Sequence, residues 1–385
     1  MIPVMSAEIC GNEVSYVSNA AKDGELSGRG KYVKIFEESL AKYLGVKYAV
    51  CTPSGTTALH LALHTAGVGW ENEVILPQMT IQCCIFPVTQ QNAQAILIDV
   101  NKNTWCMESK KVLEVLRKKQ ISAIMPVHMF GMMCDIQEIV DTVKKFELSS
   151  HRKICVIEDA CEALGSTYKG KFAGTFGDMG CFSFFYNKNI TGGELGAVVT
   201  NNDYLNERLR FYRDLGYGNT YETKFFASDL AFNYRPNGLA CAFALGQLEN
   251  IDYLLKRRQD INKLYRQYLV PKFIWQTIPE GYFNSYWAEI VLLPEGTRGR
   301  DAFIAYMRDN GIETRPAFPP LCQQIYLINR KIPGSDMYAA ENVGDYKNSQ
   351  YIWDNVVMLP SSGKGLDEKT LFHISNLANK FLLEK

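Results

Sequence analysis

The sequence predicts an α/β fold, with a large domain built on a mainly parallel, mixed sheet over residues 1–250 and a smaller C-terminal α+β domain over residues 251–385. Three observations carry this. Short apolar runs alternate with helical patterns along the chain. Those runs are apolar on both faces, as strands are when helices cover both sides of a parallel sheet. A length of 385 residues also exceeds what one typical core accommodates.

Taken in order, Lys31–Tyr43 reads as a helix, Tyr48–Cys51 as the first strand, and Thr57–Thr65 as the helix that follows it. Further strands are expected at Glu73–Leu76, Ala95–Val100, Ala123–Val127, Ile154–Glu158, Cys181–Tyr186 and Ala197–Thr200. Helical patterns at Ser109–Lys118, Ile136–Phe146 and Tyr204–Leu215 are interspersed among them. A long helical pattern then runs from Cys241 to Leu269, with a kink or break expected near Asp252. A strand at Tyr286–Leu293, a helix at Arg300–Asn310, a strand at Val356–Leu359 and a terminal helix at Glu368–Phe381 complete the smaller domain.

The 41 basic and 41 acidic residues cancel, so no long-range field favours nucleic acid or a membrane surface as a partner. No run approaches the ~18 consecutive apolar residues that span a bilayer. The first residues, MIPVMSAEICGNE, lack the basic and apolar regions of a signal peptide. The 11 cysteines are odd in number and scattered, without a CxxC pair. Several lie in apolar runs (Cys51, Cys155, Cys181), as free thiols do in a reducing compartment. A cytoplasmic location is the expectation. The adjacent Cys83-Cys84 reads either as inert packing or as a reactive pair.

Three segments concentrate the chemistry. In Phe182–Thr200, FSFFYNKNITGGELGAVVT, Lys188 follows an aromatic strand and precedes a turn at Gly192-Gly193. Burying an ammonium is costly, and a desolvated lysine amine attacks carbonyls; the alternative is a strand-end lysine whose head reaches water. In Thr52–Thr57, TPSGTT, small residues at a strand-to-helix turn allow backbone N–H groups and hydroxyls to converge on an anion, or they simply cap the helix. In Val156–Gly165, VIEDACEALG, Glu158 and Asp159 come at the end of a buried strand, where open α/β sheets bind ligands, with Glu162 three residues on. Solvated strand-end acids are the other reading. His60 and His64 have zinc-compatible spacing but no third ligand or nearby acid, so no metal is expected, and there is no GxxxxGK[ST] signature.

An anion cradle, a buried-strand carboxylate and a lysine in an aromatic pocket, in that order, are the parts that hold pyridoxal 5'-phosphate. The phosphate goes to the cradle, the ring nitrogen to Asp159 and the aldehyde to Lys188. At these residues the chain resembles the DegT/DnrJ/EryC1/StrS sugar aminotransferases. The resemblance runs through GRGKYVKIFEESLAKYLGVKYAV, SGTTALHLAL, PVHMFGMMCDI, IEDACEALGSTYKGKFAGTFGDMGCFSFFYNKNITGGELGAVVT, FNYRPNGLACAFALGQLE and ETRPAFPP. Within the family its flavour is that of the GDP-perosamine synthases, which carry a Glu at the position of Glu162 and an FSFF-x-NK lysine segment.

The resemblance implies a fold type I architecture and a set of roles. Lys188 is the Schiff-base lysine and proton carrier, and Asp159 pairs with the pyridinium nitrogen. Glu162 faces the phenolic oxygen, while Gly55, Thr56 and Ser183 contact the phosphate. Asn233, in FNYR, reaches the phosphate of a neighbouring subunit's cofactor, which implies a homodimer with shared active sites. Arg315, in ETRPAFPP, lies near the substrate's anionic part or forms a structural ion pair.

Departures from the family lie around these residues. Ile81 stands where relatives place an aromatic over the cofactor, and Glu25 where they have Trp. Leu195 replaces a glycine, which implies either a backbone that tolerates a side chain or a narrower pocket wall. Asn284 fills a slot often held by His, and Pro236 one where Met or Leu is usual. Glu25 and Asn284 join Arg315 as candidate substrate contacts. The implied activity is transfer of an amino group from an amino acid, L-glutamate first, to a nucleotide-linked 4-keto-6-deoxy sugar, with the pyridoxamine 5'-phosphate form in the cycle. Such a product feeds surface polysaccharide or glycoconjugate synthesis. A smaller phosphorylated ketone, and a non-catalytic scaffold of the same fold, are the alternatives.

Overall fold

The computed structural model describes residues 1–217, 220, 222–223, 225–294, 299–327 and 329–383. Among these residues the strands are β1 (Tyr48–Thr52), β2 (Glu73–Pro77), β3 (Gln94–Ile98), β4 (Ile121–Ile124), β5 (Cys155–Asp159), β6 (Thr167–Tyr168) and β7 (Lys171–Phe172). They continue as β8 (Met179–Ser183), β9 (Gly196–Thr200), β10 (Ile274–Trp275), β11 (Tyr282–Phe283), β12 (Glu289–Leu292), β13 (Ala340–Val343) and β14 (Val356–Leu359).

Eight of them form one sheet, in the order β1-β9-β8-β5-β4-β2-β3-β13. Strand β9 is antiparallel to both of its neighbours, and every other pairing is parallel. The carboxyl ends of the remaining strands, including β1, β5 and β8, therefore emerge on one edge. Every residue of β3 and β9 is buried, as is every residue but the first of β1, β2 and β5. That explains runs with no polar alternation: helices such as Lys31–Leu44 and Gly55–Thr65 pack against the sheet.

The structure departs from the expected elements at instructive places. The long helical pattern is two helices, Gly238–Leu248 and Ile251–Tyr268. Asn250 Nδ2 donates to the Gly246 carbonyl (3.1 Å), which its own N–H would take in a continuous helix. Strand β8 ends at Ser183: the Phe184 N–H still reaches Leu195 O (2.7 Å), but its carbonyl accepts the Gly192 N–H (2.9 Å) in the turn, and its ring packs edge-on against Phe36 with centroids 5.2 Å apart. Strand β12 starts only at Glu289, after Tyr286 takes a φ of 49°. The pair β6/β7 with β11 makes an unexpected small sheet, where Tyr168 and Tyr282 stack at 4.4 Å. Strand β13 is a further addition, pairing in parallel with β3.

A second hydrophobic cluster lies in the C-terminal stretch. There β10, β12 and β14 form an antiparallel sheet, and the helices Ile251–Tyr268, Arg300–Asp309 and Glu368–Leu383 enclose Phe273, Phe303 and Phe381. All 11 cysteines are free. Among the described residues no helix is long and apolar enough to cross a membrane. Phe303 is fully buried against both Phe273 and Phe381. Phe303→Ala should therefore cost about 3–5 kcal/mol, read as a lower urea midpoint at unchanged slope; a loss under about 1 kcal/mol would mean that the cluster repacks.

Candidate active site

At the end of β1 the chain turns through Pro53-Ser54 into the helix Gly55–Thr65. Ser54 Oγ accepts the Thr57 N–H (3.2 Å) while Thr57 Oγ1 accepts the Ser54 N–H (2.9 Å), a reciprocal capping box. The amides of Gly55 and Thr56 have no acceptor inside the helix. The turn is crowded: a Cβ at Gly55 would lie 2.7 Å from Ser183 Cβ and 2.9 Å from Cys161 Sγ. Gly196, paired with both Thr52 and Ser183, would place a Cβ 2.2 Å from Ser54 O. Capping and anion binding are therefore compatible here, since Ser54 and Thr57 cap the helix and leave the Gly55 and Thr56 amides free beside Ser183.

Glu158 and Asp159 are successive residues of β5 and face opposite sides of the sheet. Both are buried, which excludes the solvated reading. Glu158 accepts the N–H groups of Gly174 (2.8 Å), Phe176 (2.6 Å) and Gly177 (2.7 Å), and lies 2.9 Å from His128 Nε2. The Cys134 N–H donates to His128 Nδ1 (3.2 Å), so Nε2 carries the proton towards Glu158. Asp159 Oδ1 accepts the Cys161 N–H (3.0 Å), and Oδ2 accepts the thiol of Cys84 (2.8 Å), whose sulfur is 2.9 Å from Thr80 Oγ1. Burial pushes the Cys84 thiol well above its ordinary value, which keeps it a donor. Cys84 is thus neither a reactive thiol nor mere filler.

Glu162 Oε2 accepts the Phe130 N–H (3.0 Å). Phe130 has a φ of 57° and stacks with Trp287 (6.2 Å) and Phe318 (5.9 Å). Burial raises the Glu162 carboxyl above its ordinary value, against the charge of Lys188 and the Phe130 N–H, which pull it down. Lys188 Nζ lies 3.5 Å from Glu162 Oε1 and 3.9 Å from the centroid of the Trp287 ring. Its side chain is only 13% exposed, so the lysine does not reach for water. The turn that carries it is pinned by Asn189 Nδ2 to Leu164 O (2.8 Å), Trp287 Nε1 to Asn187 O (3.0 Å) and Arg258 Nη2 to Lys188 O (3.3 Å).

The structure thus brings Lys188 and Glu162 into contact, sets Asp159 on the strand beside β8, and packs Gly55 on Ser183. The other expected residues sit differently. Arg315 is paired through Nε and Nη2 with Glu313 Oε1 (2.8 and 2.7 Å), and the Tyr186 hydroxyl is next to it. Asn284 is buried, accepts the Tyr286 N–H (2.7 Å) and abuts Gly131. Glu25 accepts the Lys31 N–H (2.8 Å) at the start of the helix Lys31–Leu44. Asn233 is exposed, its backbone bridged to Asp214. His60 is engaged by Tyr234 Oη and Gln91 Nε2 (2.8 Å each), and burial lowers it to about 4. Trp287, Phe130, Cys84 and Arg258 are not among the expected site residues; a tryptophan three residues after the Asn284 slot is the one available signal.

An open α/β sheet with a largely enclosed lysine, a buried carboxylate and a free helix terminus at its carboxyl edge defines the class of fold type I aminotransferases. Residues 8–375 match the DegT/DnrJ/EryC1/StrS aminotransferase family, and the chain belongs to it. The chain is 37% identical over 324 residues to a GDP-perosamine synthase of Caulobacter vibrioides, covering 83% of this chain and 85% of that protein. It is 32% identical over 328 residues to the UDP-4-amino-4,6-dideoxy-N-acetyl-beta-L-altrosamine transaminase of Campylobacter jejuni, covering 83% and 84%. The crystal structure of a sugar aminotransferase from Micromonospora echinospora superposes with a TM-score of 0.86 at 24% identity, covering 99% of this chain and 100% of that one.

Two residues beyond Trp287, Glu289 is fully buried and pushed up to about 8 by that burial, while Asn262 Nδ2 donates to it (2.7 Å). The folded protein thus holds a proton that the unfolded chain releases near the ordinary carboxylate value. Stability from this group is present below about pH 4.5 and is lost as pH rises through about 8. Glu289→Gln, which cannot ionise, should lose less stability between about pH 5 and about pH 8.5 than the unsubstituted protein, read from urea midpoints. An equal drop in both would assign the pH dependence to other groups.

Proposed function

We propose that this protein uses pyridoxal 5'-phosphate to transfer an amino group from an amino acid, L-glutamate first, to a nucleotide-linked 4-keto-6-deoxy sugar for surface polysaccharide or glycoconjugate synthesis. The observation that carries this is Lys188 Nζ held between Glu162 and the Trp287 ring, at the carboxyl edge that also bears Asp159 and Ser183. Membership of the aminotransferase family and relatives named for GDP- and UDP-linked amino sugars support it.

The residues present fit the cofactor. The unaccepted amides of Gly55 and Thr56, with Ser183 Oγ, suit a phosphate, and a Cβ at Gly55 would close that space. Asp159 retains acceptor capacity beyond the Cys161 and Cys84 bonds, since a carboxylate offers about four lone-pair sites. When bound, the cofactor supplies an electron sink for charge that develops at the donor's α-carbon. Asp159 would pair with the ring nitrogen and keep it protonated. Glu162 would face the phenolic oxygen, its carboxyl raised above the ordinary value by burial. Lys188 Nζ would carry the proton between the donor's Cα or the sugar carbon and the cofactor's C4′.

The test is spectroscopic. Protein with added pyridoxal phosphate should show a visible band that L-glutamate moves into the near ultraviolet, as the pyridoxamine form appears. Borohydride reduction should fix the cofactor on the peptide containing Lys188. Lys188→Ala should retain cofactor without turnover. Turnover by Lys188→Ala would remove the Schiff-base role from Lys188, and a colourless protein would replace this reading with that of a non-catalytic protein of the same fold.

The reading also places a homodimer in the function, with the exposed Asn233 reaching the partner's phosphate, and divides the chain at residues 250 and 251. Lys188→Ala and Asn233→Ala should each be inactive alone. Mixed after co-refolding, they should recover about a quarter of native activity, as random pairing would restore one complete site in half the dimers. No recovery would place each site within one chain.

A further inference from the structure

Arg258 lies on the helix Ile251–Tyr268, is buried, and forms hydrogen bonds with two main-chain carbonyls. Nη1 donates to Trp287 O (2.7 Å) and Nη2 to Lys188 O (3.3 Å). The side chains of those two residues meet each other, with Lys188 Nζ 3.9 Å from the ring centroid, while Trp287 Nε1 bonds Asn187 O. One guanidinium thus ties together the backbones of the lysine and of the ring beneath its amine. Burial draws Arg258 down to about 10, while the neighbouring charges of Glu289 and Glu8 hold it up. A buried cation that spends its donors on carbonyls is an expensive way to join two loops unless their spacing matters. The fork reaches both carbonyls in a fixed plane, which a lysine ammonium on a flexible stem does not do.

We propose that Arg258 is a positioning residue for Lys188. It fixes the Lys188 and Trp287 main chains so that the amine stays over the ring and against Glu162, aimed at the cofactor's aldehyde. The proposal rests on the assignment of Lys188 as the cofactor lysine. Without the fork, the amine keeps its chemistry but spends most of its time elsewhere. A displacement of the order of 1 Å at such a group costs roughly a hundredfold in rate.

The experiment compares the unsubstituted protein with Arg258→Met and Arg258→Lys. In the L-glutamate half-reaction, Arg258→Met should lower kcat roughly a hundredfold with KM within about threefold, and Arg258→Lys, reaching one carbonyl, should recover part of the loss. In the cofactor-free protein, peptide mass spectrometry after brief treatment with acetic anhydride should show Lys188 acetylated several times faster in Arg258→Met, with Lys153 as an exposed internal reference. A purely structural arginine would lower the unfolding midpoint without splitting kcat from KM. Should Arg258→Met not fold, Arg258→Lys decides: kcat within twofold of native and unchanged Lys188 labelling would overturn the proposal. A colourless unsubstituted protein would instead remove the assignment on which it rests.

Discussion

Keeping the Lys188 amine out of water, against one carboxylate and one ring, is the constraint on which the rest of this structure depends. Desolvating an ammonium and a carboxylate costs several kcal/mol per ion even after relaxation, and their attraction offsets that only in good geometry. Good geometry needs fixed main chain on both sides. The structure supplies it with bonds from unrelated parts of the chain, since Asn189 reaches Leu164, Trp287 reaches Asn187, and Arg258 reaches Lys188 itself. The segment bearing Glu162 and the segment bearing Lys188 are therefore held to each other directly, and to the C-terminal part of the chain through Trp287 and Arg258.

A second constraint is steric and holds Asp159. Gly180 in β8 would place a Cβ 2.0 Å from Gly174 O, so the 174–177 turn lies directly on that strand. That turn donates its N–H groups to Glu158, and Glu158 fixes His128. The His128 N–H then donates to Asp159 O (3.0 Å), while the Asp159 N–H goes to Pro126 O (2.8 Å). The residue next to Asp159 thus has no chemistry of its own to perform. It anchors the backbone from which Asp159 projects, and its burial as an acid is tolerated because it accepts so many donors.

What was legible in the sequence follows from the same physics. Lys188, Asp159, Glu162 and the Ser54–Thr57 turn stand in unbroken local segments, where residue type and spacing reveal them. So do the central strands, whose unalternating apolar character reflects cover on both faces. Strand β13, by contrast, is the tetrapeptide Ala340–Val343, half polar, and becomes a strand only because β3 offers it an edge. The small sheet of β6, β7 and β11 joins residues more than a hundred positions apart. Trp287 and Arg258 were hidden for the same reason: beyond its place three residues after Asn284, nothing local marks Trp287, and nothing marks one arginine of the pair Arg257-Arg258, as a neighbour of Lys188. Their roles exist only in the folded state.

The departures from the family pattern separate once the side chains are placed. Leu195 is fully buried in the main core, its backbone is not in the left-handed region, and the turn is made instead by Gly193 at a φ of 82°. It narrows no pocket. Glu25 spends its carboxylate on a helix N-terminus, and Asn284 spends its oxygen on the Tyr286 N–H against Gly131, so both have structural work in place. Ile81 and Arg315 differ from these. Ile81 is only partly buried and leads into the turn whose Cys84 touches Asp159. Arg315 is about half exposed and paired with Glu313 alongside Tyr186, two residues before Lys188. The conspicuous substitutions Glu25, Leu195 and Asn284 thus each carry a contact of the fold itself, whereas Ile81 and the exposed Arg315 stand in segments that lead directly to Asp159 and Lys188.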